Sequence, residues 1–220
     1  MLQFEGITKR YKKAGIIYPA LEEVSIRIDK GEFVTVTGPS GSGKSTLLNI
    51  AGGLIHPDFG NVYFHEQNIY LFNNSEFDDY RKRHVGYVFQ QFHLIPYLTV
   101  FENIRMVCSG LTVAQQIDSY LEKCSLQPLR NKYPSELSVG EKQRTAFIRA
   151  IINHPDLLLA DEPTGNLDPL NSRILMSLTK EFNQSGGTVI LVSHDQDSKQ
   201  FASRHITLDS GRLISDQKIT

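Results

Sequence analysis

With 220 residues and 40% hydrophobic content, the chain can bury a full core as one domain or two closely joined lobes, and it carries no internal repeat and no low-complexity tract. Its 23 Lys and Arg against 24 Asp and Glu leave a net charge of -1, without the basic excess of a nucleic-acid footprint, so no nucleic-acid partner is expected. Cys108 and Cys124 are too sparse for a disulfide framework and read as reduced thiols in a cytoplasmic setting; no apolar run approaches the roughly 18 residues that span a bilayer, and "MLQFEGITKRYKK" lacks a signal-peptide core.

Along the chain, residues 1 to 30 alternate as strands, with Leu2, Phe4 and Ile7 and then Val24, Ile26 and Ile28 on one face. A loop from Lys12 to Pro19 is expected between them. Phe33 to Thr37 reads as a buried strand and Ser45 to Ala51 as a helix, with the glycine-rich "GPSGSGKST" between. "NVYF" (61 to 64) and "VGYVF" (85 to 89) are further strands. Residues 99 to 152 read as helical, with Thr112 as an N-cap and Val113, Ile117 and Leu121 spaced along one face. Strand and helix then alternate: "DLLLAD" (156 to 161), a helix over 171 to 183, "TVILVS" (188 to 193), a short helix, and a hairpin around Ser210-Gly211. This order predicts an α/β core with a parallel sheet, edged by antiparallel strands and interrupted by a helical lobe.

The stretch Gly38-Pro39-Ser40-Gly41-Ser42-Gly43-Lys44-Ser45-Thr46 has the spacing G-x-x-x-x-G-K-[ST] of a phosphate-binding loop. Glycines allow the backbone to approach a ligand, and successive N–H groups at a helix start make a nest for anions. Lys44 would reach the β and γ phosphates of a nucleoside triphosphate, and the Ser45 hydroxyl would ligate magnesium. In "LLLADEP" an apolar strand delivers Asp161, whose carboxylate can hold magnesium directly or through water, and the next residue, Glu162, can deprotonate an attacking water. The alternating geometry of a strand would point these two carboxylates in different directions. Ser138 and Glu141 in "LSVGE" form a possible capping box, S-x-x-E, at a helix start that would present N–H groups to phosphate.

The five residues "LSVGE", 20 residues before the Asp161 strand end, give the chain a resemblance to the ATP-binding-cassette ATPase family, whose signature reads L-S-G-G-Q. The resemblance runs over essentially all 220 residues, because the other family motifs occur in order. It implies a phosphate-loop NTPase core of RecA-like type (about 1–90 and 153–220) with an antiparallel β edge and an inserted α-helical subdomain (about 91–152), all in one domain. It also implies roles for single residues: Tyr11 stacking on adenine, Gln90 linking magnesium to the helical lobe, Asp168 in a loop crossing a dimer interface, and His194 on the γ-phosphate. Two copies would pack head to tail, so that ATP on one phosphate loop is covered by Ser138, Gly140 and Glu141 of the other. Glu162 would then be the general base, with Lys44 and His194 as its catalytic companions, and ATP and Mg2+ as ligands.

Within the family, "FQQFHLIPYLTVFENI" and "LLLADEPTGNLD" are most similar to the lipoprotein-release, macrolide-efflux and cell-division ATPase subunits. That implies an integral membrane permease as partner, export or extrusion as the work done, and a cytoplasmic protein held on the inner face of the membrane. A regulatory, mechanically signalling ATPase without a transported substrate is the alternative; a chromosome-type cassette protein would need a coiled coil for which no sustained heptads occur. Val139 and Glu141 depart from the signature's glycine and glutamine, and the segment from Asn103 to Leu121 is shorter than in these relatives.

Overall fold

In the computed structural model, which describes residues 1–13, 15–108, 113–193 and 200–219, two sheets share one hydrophobic core. The first sheet is antiparallel, in the order β2-β1-β4-β5, from β1 (Leu2–Lys13), β2 (Ile16–Ile28), β4 (Phe59–Phe64) and β5 (Gln67–Asn68). The expected loop from Lys12 to Pro19 is instead a hairpin, with Lys12 opposite Ile17 and Tyr11 opposite Tyr18. Pro19 survives inside a strand because β2 is an edge strand and the pairing is irregular beside its partner Arg10.

The second sheet runs β10-β9-β3-β8-β7-β6, formed by β3 (Phe33–Thr37), β6 (Val85–Val88), β7 (Leu157–Asp161), β8 (Thr188–Val192), β9 (Arg204–Asp209) and β10 (Arg212–Lys218). All its pairs are parallel except the terminal hairpin of β9 and β10. Strands buried on both faces are near-continuous apolar runs, as β7 and β8 are. One face, with Val34, Val36, Leu159, Ile190 and Val192, packs on α1 (Lys44–Ala51) and the first sheet. The opposite face, with Phe33, Leu158, Ala160, Val189 and Leu191, packs on α5 (Val139–Ile151) and α6 (Pro169–Gln184).

Between β6 and β7 the chain forms a third apolar cluster from α3 (Val100–Arg105), α4 (Val113–Lys123) and α5. Val113, Ile117 and Leu121 bury one face of α4, as their spacing predicts, while the N-cap expected at Thr112 lies outside the described residues. The short helix expected after Ser193 falls largely outside them as well. α5 serves two clusters: Phe147 and Ile151 face the sheet, and Ile148 and Ile152 at its end face α3 and α4. A helix unmarked by periodicity, α2 (Asn74–Asp79), is held by a capping box in which Asn73 accepts from the Glu76 N–H and Glu76 accepts from the Asn73 N–H.

The sheet sits so close to α5 that a Cβ at Gly86 of β6 would collide with the Ala150 carbonyl oxygen. Gly86→Ala is expected to destabilise the chain by about 1–3 kcal/mol, the range for overpacking a full interior. A urea midpoint unchanged from wild type would contradict this packing.

Candidate functional site

β3 lies between β8 and β9, and its C-terminal end leads into the loop of residues 38–46. Gly38 (φ 147°) and Gly43 (φ 99°) both adopt backbone conformations that L side chains rarely take. A Cβ at Gly38 would strike the Leu208 carbonyl oxygen of β9, and one at Gly43 the Ala20 carbonyl oxygen of β2. The loop is thus clamped from two sides. Lys44, 5% exposed, opens α1 and donates from Nζ to the carbonyl oxygens of Gly38 (2.9 Å) and Pro39 (2.8 Å). Burial lowers its pKa, while the charges of Glu162 and Asp161 push it the other way. The ammonium group therefore sits on the loop's own arc, in the field of two carboxylates.

Asp161 ends strand β7, which is separated from β3 by β8, and Glu162 follows it. Asp161 Oδ1 accepts from Ser45 Oγ at 3.0 Å, and Glu162 Oε2 accepts from Gln90 Nε2 at 3.3 Å. The phosphate loop, the end of β7 and the segment after β6 therefore meet at the C-terminal edge of the parallel sheet, where ligands of open α/β sheets bind. The divergence of Asp161 and Glu162 arises differently from the expected strand alternation. Glu162 has left the strand: it has φ 45°, a left-handed conformation uncommon outside glycine, while its N–H donates to the Val192 carbonyl at 2.9 Å. Tyr87, whose hydroxyl donates to Asn49 Oδ1 at 2.7 Å, has a raised pKa through burial and through the nearby Asp161 charge.

Ser138 caps α5: its Oγ accepts from the Glu141 N–H at 3.4 Å, and Glu141 Oε2 accepts from the Ser138 N–H at 2.7 Å. Asp168 caps α6, accepting from the Asn171 N–H at 2.9 Å, which together with the Asn171 side chain holds its carboxyl below the usual range. Among the described residues, no hydrogen bond or ion pair ties Ser138, Gly140, Glu141 or Asp168 to residues 38–46 of the same chain. Tyr11 is 42% exposed and stands opposite Tyr18, two residues along β2 from the Ala20 carbonyl that backs Gly43. His194 lies outside the described residues.

The profile of the ABC transporter family matches residues 21–165, which contain the phosphate loop, "LSVGE" and the Asp161-Glu162 pair. The chain belongs to the ABC transporter family. Within it, this chain is the ATPase cassette. It is 38% identical to the uncharacterized ABC transporter ATP-binding protein MJ0796 of Methanocaldococcus jannaschii, over 100% of this chain and 97% of that protein. The solved dimeric structure of MJ0796 matches with a TM-score of 0.94 at 38% identity, covering 100% of this chain and 99% of that one. A second MJ0796 structure, a dimeric post-hydrolysis state bound to ADP and Pi, matches at 0.93 with 37% identity, over 100% and 99% of the two chains. The macrolide export ATP-binding/permease protein MacB of Pasteurella multocida is 36% identical over 100% of this chain but only 35% of its own length, so the cassette spans about a third of such fused relatives.

Two residues given no role by the sequence hold the segment after Gln90 of this ABC cassette in place. Asn103, fully buried on α3, accepts from the Ile95 N–H at 2.7 Å and donates to the carbonyls of Leu98 (2.8 Å) and Thr99 (3.0 Å). Arg149 on α5 donates to the carbonyls of Phe92 (2.9 Å) and His93 (2.7 Å). The available signal for Asn103 was a lone amide between the apolar Val100 and Ile104 of a predicted helix. The two departures from the signature also have places: Val139 is 44% exposed at the first turn of α5, and the Glu141 carboxylate is engaged by the cap.

Proposed function

We propose that this cassette hydrolyses ATP at a site completed by a second, head-to-tail copy, and that it drives an integral membrane permease of the export type. One observation carries the reading: Lys44, Ser45, Gln90, Asp161 and Glu162 converge at one sheet edge, while Ser138 and Gly140 open a capped helix that, among the described residues, makes no bond to the loop of residues 38–46. An exposed helix start is an anion site in want of an anion. The dimeric MJ0796 structures support two copies, and the fused ATP-binding/permease relatives support a permease partner.

In this reading the N–H groups of residues 38–46 and Lys44 bind the triphosphate, and Tyr11 stacks on the adenine. The Ser45 hydroxyl, the Asp161 carboxylate and the Gln90 carboxamide oxygen are an all-oxygen donor set that suits a hard cation. Among the described residues no three His, Cys, Asp or Glu side chains gather to hold a metal alone, which fits magnesium, an ion held by one or two carboxylates plus substrate phosphates. Mg2+ bound there would neutralise phosphate charge. Glu162 takes the proton of the attacking water, and His194 holds the γ-phosphate end in line. Ser138, Gly140, Glu141 and Asp168 act across the interface on the partner's nucleotide.

The chain is one domain, with the core at about 1–90 and 153–220 and a helical lobe at about 91–152 that faces the permease. No helix among the described residues is long and apolar enough to cross a membrane, and the cassette is held on the inner face of the cell membrane by its partner. The test is purification of the tagged chain from native membranes in detergent. An integral membrane protein is expected to co-purify and, once both are reconstituted in vesicles, to change the ATP turnover of the cassette. Recovery of the chain alone, with turnover indifferent to any membrane protein, would refute the permease assignment.

A further inference from the structure

The joint between the start of α5 and the start of α6 is built around one side chain. Asn171, the third residue of α6, accepts through Oδ1 from Arg144 Nη1 of α5 and donates through Nδ2 to Asp168 Oδ2 at 2.5 Å. Its backbone N–H donates to Asp168 Oδ1 at 2.9 Å. The same Oδ1 lies where a Cβ at Gly140 would collide with it, so the asparagine amide packs directly on the glycine of "LSVGE". One carboxamide therefore touches Gly140, binds the helix that follows it and grips the carboxylate that ends "GNLD".

The joint is also incompletely satisfied. Among the described residues, neither side-chain polar atom of Gln143, a residue 1% exposed, has a hydrogen-bond partner, nor does Arg144 Nε. Gln143 lies three residues after Gly140, on the same face of α5. A buried polar network with every member paired would fix a single arrangement. Arg144 thus keeps an unpaired Nε on the guanidinium that binds the bridging amide, and Gln143 is unpaired next to it in α5, so the joint is not locked by a full set of bonds.

We propose that Asn171 is a positioning residue that yokes the start of α5 to the Asp168 loop, so that the two elements a cassette offers to its partner's nucleotide move as one unit. This rests on the composite-site reading given above. Asn171 acts through its contacts with Gly140, Arg144 and Asp168. A loop and a helix start that reach the partner independently would each lose entropy on docking, whereas a yoked pair docks as one body.

The test compares Asn171→Leu and Asn171→Ser in the Glu162→Gln background, reading ATP-dependent dimerisation by sedimentation and ATP binding by the monomer with a fluorescent ATP analogue. Asn171→Leu removes both side-chain bonds, and the concentration for half-dimerisation is expected to rise by about ten-fold or more, the scale of a lost charge-assisted hydrogen bond. Monomer binding of the analogue should stay at the parent value, and in the otherwise wild-type chain kcat should fall with little change in KM for ATP. Asn171→Ser, whose hydroxyl can accept from Arg144 and donate to Asp168, should recover most of the loss. Wild-type dimerisation by Asn171→Leu would overturn the proposal. So would a parallel loss of monomer binding, which marks a merely structural role, or a serine variant no better than leucine. Failure of the Glu162→Gln parent itself to dimerise would bring down the composite-site reading, and this proposal with it.

Discussion

Glu162→Gln is expected to lower ATP turnover by about a hundred- to ten-thousand-fold, the range attributed to a positioned general base. The substitution keeps size and leaves an amide oxygen that can still accept from Gln90 Nε2, which now meets Glu162 Oε2 at 3.3 Å. The left-handed backbone at residue 162 is held by its N–H bond to Val192, which the change does not touch. Lys44 and Ser45 remain in place, so ATP binding should be kept while the proton acceptor is lost. Phosphate release under saturating ATP, set beside equilibrium ATP binding, measures both halves. Turnover within a few-fold of wild type would remove Glu162 from the role of base.

Lys44→Ala is expected to weaken ATP binding by about 2–5 kcal/mol, the usual result of truncating one member of a buried charged pair. The ammonium group donates to the carbonyls of Gly38 and Pro39 and lies in the field of Asp161 and Glu162. Without it the approaching phosphates meet two carboxylates and two carbonyl dipoles with one fewer compensating charge. Titration calorimetry with ATP reads the change directly. Affinity equal to wild type would mean that the loop binds nucleotide by its backbone alone, and that Lys44 serves the loop's own fold.

What the sequence made legible follows from how local each signal is. β3, β7 and β8 stood out because strands buried on both faces are continuous apolar runs, and α4 because Val113, Ile117 and Leu121 recur on one face. The segment from Lys12 to Pro19 reads as a loop because its glycine, lysines and Pro19 are turn signals, which the irregular edge strand of the β1–β2 hairpin tolerates. α2 leaves no periodic signal because "NSEFDD" buries no residue; only its capping box marks it.

The site divides in the same way. Residues 38–46, Asp161 and Glu162 are legible because each sits in a short motif whose chemistry depends on neighbours in sequence. Asn103, Arg149 and Asn171 act across gaps in the chain, on Ile95, on Phe92 and on Arg144. Asn103 carries one local signal, an amide between the apolar Val100 and Ile104; nothing in the local pattern separates Arg149 and Asn171 from ordinary polar residues of a helix. Glu162 shows a third case: the residue was identified, but its direction is set by a left-handed turn that no propensity assigns to glutamate.

A site shared between two copies is tested most directly by the mass of the Glu162→Gln chain in solution. With ATP present it should sediment as a dimer, and without nucleotide as a monomer. A chain that stays monomeric with ATP bound, or one that hydrolyses ATP at the wild-type rate as a monomer, would contradict it.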